Sequence, residues 1–523
     1  MAVSAIPLGQ RSAADDTPKV MLGGFAAMAE SAWMGSVQAT EVLEPLRTAP
    51  AAGRGLRAIV PRLPRIQLAG LLTREFSIAE ASFILMASFF TSALLGAVRQ
   101  VLFNAQYGVG MEANAYYAAF RLPDTLFSLI AGGALSSAMI PVLLSTNREE
   151  GEAAGWRLVS LVLTTLLAFF ALLVLVVEAF APAFVSNLLA PGFDAETSRL
   201  TAALTRVMLI QPLILAVGSV ATAVLNSRNQ FLLTALSVVS HNVALIIGIG
   251  AAQIFPSLGI YGPTLGVVLG AVFQVAILLP GLLGRGARLR PALDLWDRRL
   301  REVIRLLIPN GLSVSVNYAG FIVDTAFATK APQTAGLAAI YNAFLLVGLP
   351  IALLGQAVGQ AAFPRLAAHA EAQDWSLMRR TLFQSLGAAI GLSIPALVAL
   401  LVLGRPTIRI LFERGKFTAA AGDLTYQVLI AYAVALPAYV GTEVITRGLI
   451  ALRDTRTPLV TNVFQLAGRA LIMALLVGQF GVITIPAALA VTATLETITL
   501  ASVLLLKLRQ RRRVAPRLGE SMS

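Results

Sequence analysis

Charged side chains fall inside long apolar stretches of this sequence, where a charge is costly unless it meets water or a partner. The acids are Asp124, Glu178, Asp324, Glu443 and Glu496, and the bases are Arg99, Arg121, Arg206, Arg447 and Arg469. A charge at the centre of a bilayer costs about 2.5–3.5 kcal/mol on insertion scales, so each should face a cavity or a partner. Guanidinium groups in such a cavity would attract an anionic headgroup. The residue types therefore indicate an anion site within the membrane.

Several of these charges also have a structural explanation. Arg99 lies near the end of its apolar run, where a long side chain reaches the membrane surface. Arg121 and Asp124 are three residues apart on one helix face, so they could neutralise each other. The same holds for Glu443 and Arg447, which are four residues apart. The sequence leaves both interpretations open for each of these residues.

Two further polar pairs are predicted to join helices. Asp324 and Arg469 are expected to form an ion pair inside the membrane, since each would otherwise be an isolated charge. His241 and Asn242 are interpreted as an interhelical hydrogen-bonding pair rather than as ligands.

A hinge is predicted in the apolar stretch that contains Arg121 and Asp124. Pro123 lacks a backbone donor, so it is expected to bend its helix and expose carbonyl groups beside Arg121. Gly132 and Gly133 permit either close packing or hinging in the same helix.

No enzyme site is visible. The chain has no cysteine and only two histidines, which excludes disulfides, thiolate metal sites, cysteine nucleophiles and a His-rich metal centre. A phosphate-cradling Gly-rich loop ending in Lys-Ser or Lys-Thr is also lacking, so the protein does not hydrolyse ATP. No cofactor or metal is predicted. Energy must come from a coupled monovalent cation or from the membrane potential, worth about 2.3 kcal/mol per charge per 100 mV.

Apolar stretches of helical length position these residues. The chain of 523 residues is 57% apolar and 13% charged, with a mean hydropathy of +0.78, which indicates an integral membrane protein. Runs of this length predict an all-α protein of twelve transmembrane helices and exclude a β-barrel. The predicted spans are 78–102, 113–144, 157–182, 200–225, 231–254, 260–284, 303–328, 336–363, 380–404, 424–450, 458–479 and 483–507.

Basic residues outside the spans set the orientation. Most of them fall on one side if both termini are cytoplasmic, as the positive-inside rule requires. The net charge of +13 then reflects topology and contact with anionic headgroups of membrane lipids, and no nucleic acid is needed to explain it. The predicted organisation is a flexible basic cytoplasmic extension (1–76), two six-helix bundles (77–284 and 303–507), a basic cytoplasmic linker (285–302) and a basic cytoplasmic tail (508–523).

The two bundles repeat one another at an offset of about 224 residues. Residues 117–120, 192–193 and 226–229 correspond in order to 341–344, 415–417 and 452–455. Six spans is an even number, so the repeat is parallel, with its axis along the membrane normal. Two such bundles suit alternating access, with the substrate held at their interface.

Five segments carry a resemblance to a known family. They are LGAVR at 95–99, FRLPD at 120–124, GALSSAMIP at 133–141, LFERGKFT at 411–418 and RDTRTP at 453–458. Across about residues 77–507 the chain resembles the MurJ/MviN family of lipid II flippases, in the multidrug/oligosaccharidyl-lipid/polysaccharide exporter superfamily. The resemblance implies a V-shaped pair of six-helix bundles in the bacterial cytoplasmic membrane, with inward- and outward-open states. It also implies export of an undecaprenyl-pyrophosphate-linked peptidoglycan precursor.

The resemblance assigns substrate binding to Arg99 and Arg121, with Asn114 and Asp124 beside them. The family's other arginines of this set are replaced here, at Ala93, Phe127, Ser128 and Leu345.

A second assignment concerns energy coupling. In relatives that couple to sodium, an acid of span 7 ligates the cation. Asp324 takes that place, and Arg469 lies near a second ligand position, so a guanidinium would stand in for the ion.

The leading hypothesis is a flippase for lipid II. A flippase for another lipid-linked oligosaccharide is the nearest alternative, and a cation-coupled multidrug antiporter is a second. A transport-inactive scaffold that binds cell-wall synthesis enzymes is a third. An arginine-rich cavity favours a flippase, and a cavity of acids and aromatic rings favours the antiporter.

Overall fold

The computed structural model describes residues 78–131, 134–283 and 288–520, and nearly all of these residues are helical. No strand occurs among them. The α-helices are α1 Ile78–Tyr107, α2 Met111–Ala131, α3 Ala134–Glu150, α4 Glu152–Phe184, α5 Ala195–Met208, α6 Ile210–Asn226, α7 Phe231–Ile254, α8 Tyr261–Leu283, α9 Arg298–Lys330, α10 Gly336–Pro350, α11 Ala357–Glu371, α12 Trp375–Leu411, α13 Ala419–Val434, α14 Leu436–Ala451, α15 Arg456–Phe480 and α16 Thr484–Glu520. The protein is an all-helical membrane protein.

Eight helical stretches in the described part of the chain are long and apolar enough to cross a membrane, or nine if the bent pair α13–α14 is one span. One of these stretches, Arg456–Arg511, covers two of the predicted spans. The predicted span 113–144 includes residues 132–133, which lie outside the described residues. Twelve spans therefore remain a prediction.

Two prolines have different effects on the helices that contain them. The bend of 42° between α13 and α14 precedes Pro437, which sits in the first turn of α14, where its missing donor costs nothing. Pro123, in contrast, does not end α2, which continues to Ala131. The predicted hinge residues Gly132 and Gly133, like residues 1–76, lie outside the described residues.

The connector between the predicted bundles is attached to the first of them. The backbone N–H groups of Arg290 and Ala292 donate to the hydroxyls of Ser160 and Thr164 on α4, both at 3.2 Å. At the start of α9, Arg299 forms ion pairs with Glu149 and with Glu150, at the end of α3.

The last helix extends into the predicted basic tail. α16 ends at Glu520, so residues 508–520 of the predicted tail at 508–523 are helical. The Arg511 guanidinium lies over the Trp375 ring at 5.2 Å, which holds this extension against α12.

Candidate functional site

A network of buried polar side chains joins α1 and α2 to α10. The Asn342 side-chain oxygen accepts hydrogen bonds from Gln100 (2.9 Å) and Asn104 (2.7 Å). Gln100 also donates to the Tyr117 hydroxyl at 2.6 Å. Each of these side chains is at most 2% exposed. Paired amides hold helices together in a membrane at modest free energy, about 0.6–2 kcal/mol each.

Asn114 adds a second connection near the start of α2. Its side-chain oxygen accepts from the Ala338 N–H at 2.9 Å, and its nitrogen donates to the backbone oxygens of Val109 and Thr334. In this conformation the Asn114 amide is used between the helices, and its role in substrate binding stays a prediction. We call Gln100, Asn104, Asn114, Tyr117 and Asn342 the polar seal.

An aromatic stack lies next to the polar seal. The rings of Tyr117 and Tyr341 are 4.1 Å apart and nearly parallel. On the far side of Tyr341, Arg121 lies over two rings, 5.1 Å from Phe321 and 5.4 Å from Tyr341. Its Nε is buried and makes no hydrogen bond. The guanidinium is therefore held mainly by cation–π contacts, worth about 0.5–2 kcal/mol each.

Arg121 lines a small cavity between α2, α9 and α10. The cavity has a volume of about 20 Å³, room for about one water molecule. Its lining combines one base, one acid and four aromatic rings, namely Arg121, Asp124, Phe120, Phe321, Tyr341 and Phe344, together with Leu345. Arg121 and Asp124 share this cavity without forming an ion pair with each other or with any other described residue. The self-neutralisation considered from their spacing is not formed.

Arg99 lies elsewhere. It is 7% exposed, and its guanidinium donates to the Asn242 side-chain oxygen at 3.1 Å. Asn242 in turn donates to the Ser92 hydroxyl at 2.8 Å, so α7 is fastened to α1. The hydrogen-bonding role predicted for Asn242 is confirmed. Arg99 is buried instead of reaching the membrane surface, but it does not line the cavity that holds Arg121.

The predicted ion pair between Asp324 and Arg469 is present. Arg469 Nη1 lies 3.4 Å from Asp324 Oδ2, and each side chain is 8% exposed. Asp324 is three residues beyond Phe321 on α9, so the pair adjoins the cavity. No cluster of three or more acids or histidines that could hold a metal occurs among the described residues.

The remaining intramembrane charges have other surroundings. Arg206 pairs with Glu178 at 3.4 Å, and both side chains are more than 40% exposed. Glu443 and Arg447 make no ion pair within the described part of the chain; they pack against the glycines of the α10–α11 segment.

Most of the polar seal is not predicted from the sequence. In the sequence, Asn342 draws attention only as part of the internal repeat, and nothing was predicted for Gln100 or Asn104. A signal existed: Gln100 and Asn104 are four residues apart in one apolar run, so they share a helix face. An uncharged amide is a weaker signal than a charge, because burying it costs less free energy.

Comparisons with known proteins identify the family of this chain. The family model of the lipid II flippase MurJ matches residues 103–519. The chain is 29% identical to a lipid II flippase MurJ from Burkholderia cenocepacia, covering 72% of this chain and 74% of that protein. It is 28% identical to a probable lipid II flippase MurJ from Synechocystis, covering 78% of each.

Solved structures share the fold. A lipid II flippase MurJ in an inward closed conformation superposes with a TM-score of 0.69 at 22% identity, covering 81% of this chain and 87% of that one. An inward-facing multidrug resistance MATE transporter gives a TM-score of 0.68 at 13% identity, covering 81% and 96%. Since the family model covers well over half of the sequence, the chain belongs to the lipid II flippase MurJ family.

Proposed function

We propose that this protein carries lipid II, a polyprenyl-pyrophosphate-linked glycan, across the bacterial cytoplasmic membrane for peptidoglycan synthesis. Membership of the MurJ family is the observation that carries the proposal. It acts as a transporter and not as an enzyme. The MATE-like fold does not favour drug export, because a likeness at 13% identity concerns the fold alone.

Two bundles related by a parallel repeat, with six spans each, form the transport unit. Contacts between the bundles support this, because equivalent residues meet each other. Tyr117 stacks on Tyr341, and the Asn114 side chain accepts from the N–H of Ala338, its counterpart 224 residues further on. Such contacts arise where a two-fold axis passes between two copies.

A reciprocal pair of loop contacts supports the same symmetry. The Lys416 N–H donates to the Ala105 carbonyl at 2.8 Å, and the Gly192 N–H donates to the Thr329 hydroxyl at 3.2 Å. In each case the loop after the third span of one bundle contacts the end of the first span of the other. With cytoplasmic termini, this is the outer face, so the structure corresponds to a state closed to the outside. A V-shaped opening would then lie on the cytoplasmic side.

Arg121 is the proposed contact for the pyrophosphate. It lies between the bundles, beyond the polar seal, and its buried Nε has no hydrogen-bond partner. Its cation–π contacts are weaker than a charge-assisted hydrogen bond to phosphate, so a pyrophosphate could displace the rings. Arg99 is proposed to act after the Asn242 contact opens, and Asp124 to orient the sugar-phosphate. The polyprenyl chain stays in the lipid.

Energy is proposed to come from the membrane potential or a coupled monovalent cation. The linker and the C-terminal extension, rich in arginine, would contact anionic headgroups on the cytoplasmic side. Cell-wall synthesis enzymes that use the exported precursor are the expected partners.

Complementation tests the proposal. Expression in cells depleted of their own lipid II flippase should restore growth and the appearance of lipid II on the outer leaflet. Arg121→Ala should abolish rescue, and Arg206→Ala should leave it intact, because Arg206 lies in an exposed ion pair. Failure of the wild-type chain at normal membrane levels would direct the proposal to another lipid-linked oligosaccharide.

A further inference from the structure

The Asp324 carboxylate is buried within the second bundle and needs a positive counter-ion. Arg469 supplies one, but through a single contact of 3.4 Å rather than a bidentate pair. Asp324 Oδ1 and Arg469 Nε are both buried and make no hydrogen bond. One carboxylate oxygen is therefore unused, in a region where charge is expensive.

The surface of α9 is shaped to receive this guanidinium. Gly320 lies one turn before Asp324 on the same face, and a Cβ at Gly320 would lie 2.3 Å from Arg469 Nη2. A larger residue at this position would require the end of the Arg469 side chain to shift. The site therefore has room for the guanidinium because residue 320 has no side chain.

Three other side chains act electrostatically on this pair. The hydroxyls of Tyr432 and Tyr439 interact with both Asp324 and Arg469, and Glu496 interacts with Arg469. A buried carboxylate with one unused oxygen is chemically suited to a hard metal cation, which prefers oxygen ligands. Here a tethered guanidinium occupies the place of such an ion.

We propose that Arg469 is a built-in counter-cation that fills a carboxylate site otherwise open to a sodium ion. No exchangeable metal cation binds there in the native protein. The consequence for transport, which rests on the proposed function, is that lipid export does not draw on a sodium gradient. The binding claim itself does not depend on the transported substrate.

Binding of radioactive Na⁺ to the purified full-length protein tests the proposal. The wild type should show background binding, and Arg469→Gln should bind about one Na⁺ per chain, because it leaves the buried carboxylate without a counter-ion. Arg469→Lys keeps the positive charge and should stay at background. Arg469→Gln/Asp324→Asn removes both charges and should lose the gained binding.

Thermal unfolding gives a second readout. Sodium chloride, compared with N-methyl-D-glucamine chloride at equal ionic strength, should stabilise Arg469→Gln and leave the wild type unchanged. Stoichiometric Na⁺ binding by the wild type would overturn the proposal whatever the variants do. A folded Arg469→Gln that gains no Na⁺ binding would overturn it as well. Either result leaves complementation by the wild type, and thus the proposed function, unaffected.

Discussion

At the residue scale, Arg121 is in a position to exchange partners. Its guanidinium lies over Phe321 and Tyr341, and Tyr341 stacks on Tyr117 of the polar seal. A phosphate that draws Arg121 away would remove a contact that helps to hold α2 against α9 and α10. If Arg121 binds the phosphate as proposed, substrate binding and opening of the polar seal would be linked through this one side chain.

This competition predicts the effect of Phe321→Leu. Loss of one cation–π contact, worth about 0.5–1 kcal/mol, should raise affinity for undecaprenyl pyrophosphate by about two- to five-fold. Binding to the purified protein in detergent is the measurement. In the Arg121→Ala background the same substitution should have no effect on affinity. An equal change in both backgrounds would mean that the ring does not compete through Arg121.

A second residue-scale prediction concerns Asp454, in the turn between α14 and α15. Hydrogen bonds from Lys507 and Thr457 lower the pKa of Asp454 from 3.8 to about 2. A depressed pKa means that the ionised form contributes stability above pH 4, and that this contribution is lost as the pH falls towards 2.

Asp454→Asn should therefore lower the free energy of unfolding by about 1–2 kcal/mol at pH 7. The deficit should shrink as the pH falls from 4 to 2. Thermal melts of both proteins across this range measure it, with Glu371→Gln, at an exposed position, as the control. A deficit that does not change with pH would show that the Lys507 contact is not the cause.

At the scale of the elements, the loops after α4 and α12 pack through backbone atoms on the ends of α9 and α1. A Cβ at Gly192 would lie 2.1 Å from the Thr329 oxygen, and a Cβ at Gly415 would lie 2.1 Å from the Ala105 oxygen. Gly415 also has a φ of +59°, which disfavours other residues. Both loop contacts, which lie on the proposed outer face, therefore require glycine.

Gly192→Ala and Gly415→Ala should each loosen this contact and favour opening of the outer face. The native chain has no cysteine, so a single cysteine at Ala338, buried beside Asn114, reports opening through a membrane-impermeant maleimide. Labelling should be faster in both variants than in the parent. Gly387→Ala should not change it, since nothing lies within 4 Å of a Cβ there. Unchanged labelling in both test variants would exclude this contact as a gate.

The helices were predictable from sequence, and the polar seal was not. A long apolar stretch predicts a membrane helix, because each backbone N–H and C=O in the bilayer must find a hydrogen-bond partner within the protein. The Asp324–Arg469 pair was also predictable, since two isolated intramembrane charges need partners. Arg121 and Asp124 have the same spacing as a helical ion pair, yet Arg121 turns to Phe321 and Tyr341 of other helices. Whether a side chain contacts its own helix or a neighbouring one depends on how the helices pack, and the spacing of residues along one helix does not specify that packing.

At the scale of the whole molecule, the two halves of the chain differ in the charges that they bury. The second half holds a buried ion pair, Asp324–Arg469. The first half supplies Arg121 to the cavity and holds Arg99 against Asn242. The proposed anion contact and the ion pair therefore come from different halves of the chain.

The orientation of the chain in the membrane determines on which side of the membrane the polar seal lies. With cytoplasmic termini, the α1–α2 turn is outside and the α8–α9 linker is inside. Gly110 and Arg290 are exposed at these two places, whereas Tyr107, at the end of α1, is buried and would label poorly. In intact cells, an impermeant maleimide should label Gly110→Cys and leave Arg290→Cys unmodified until the membrane is permeabilised. Because the positive-inside rule acts on loop charge and not on the fold, this pattern tests topology independently of transport. The reverse pattern would place the polar seal on the cytoplasmic side, so that the structure would represent the outward-open half of the cycle.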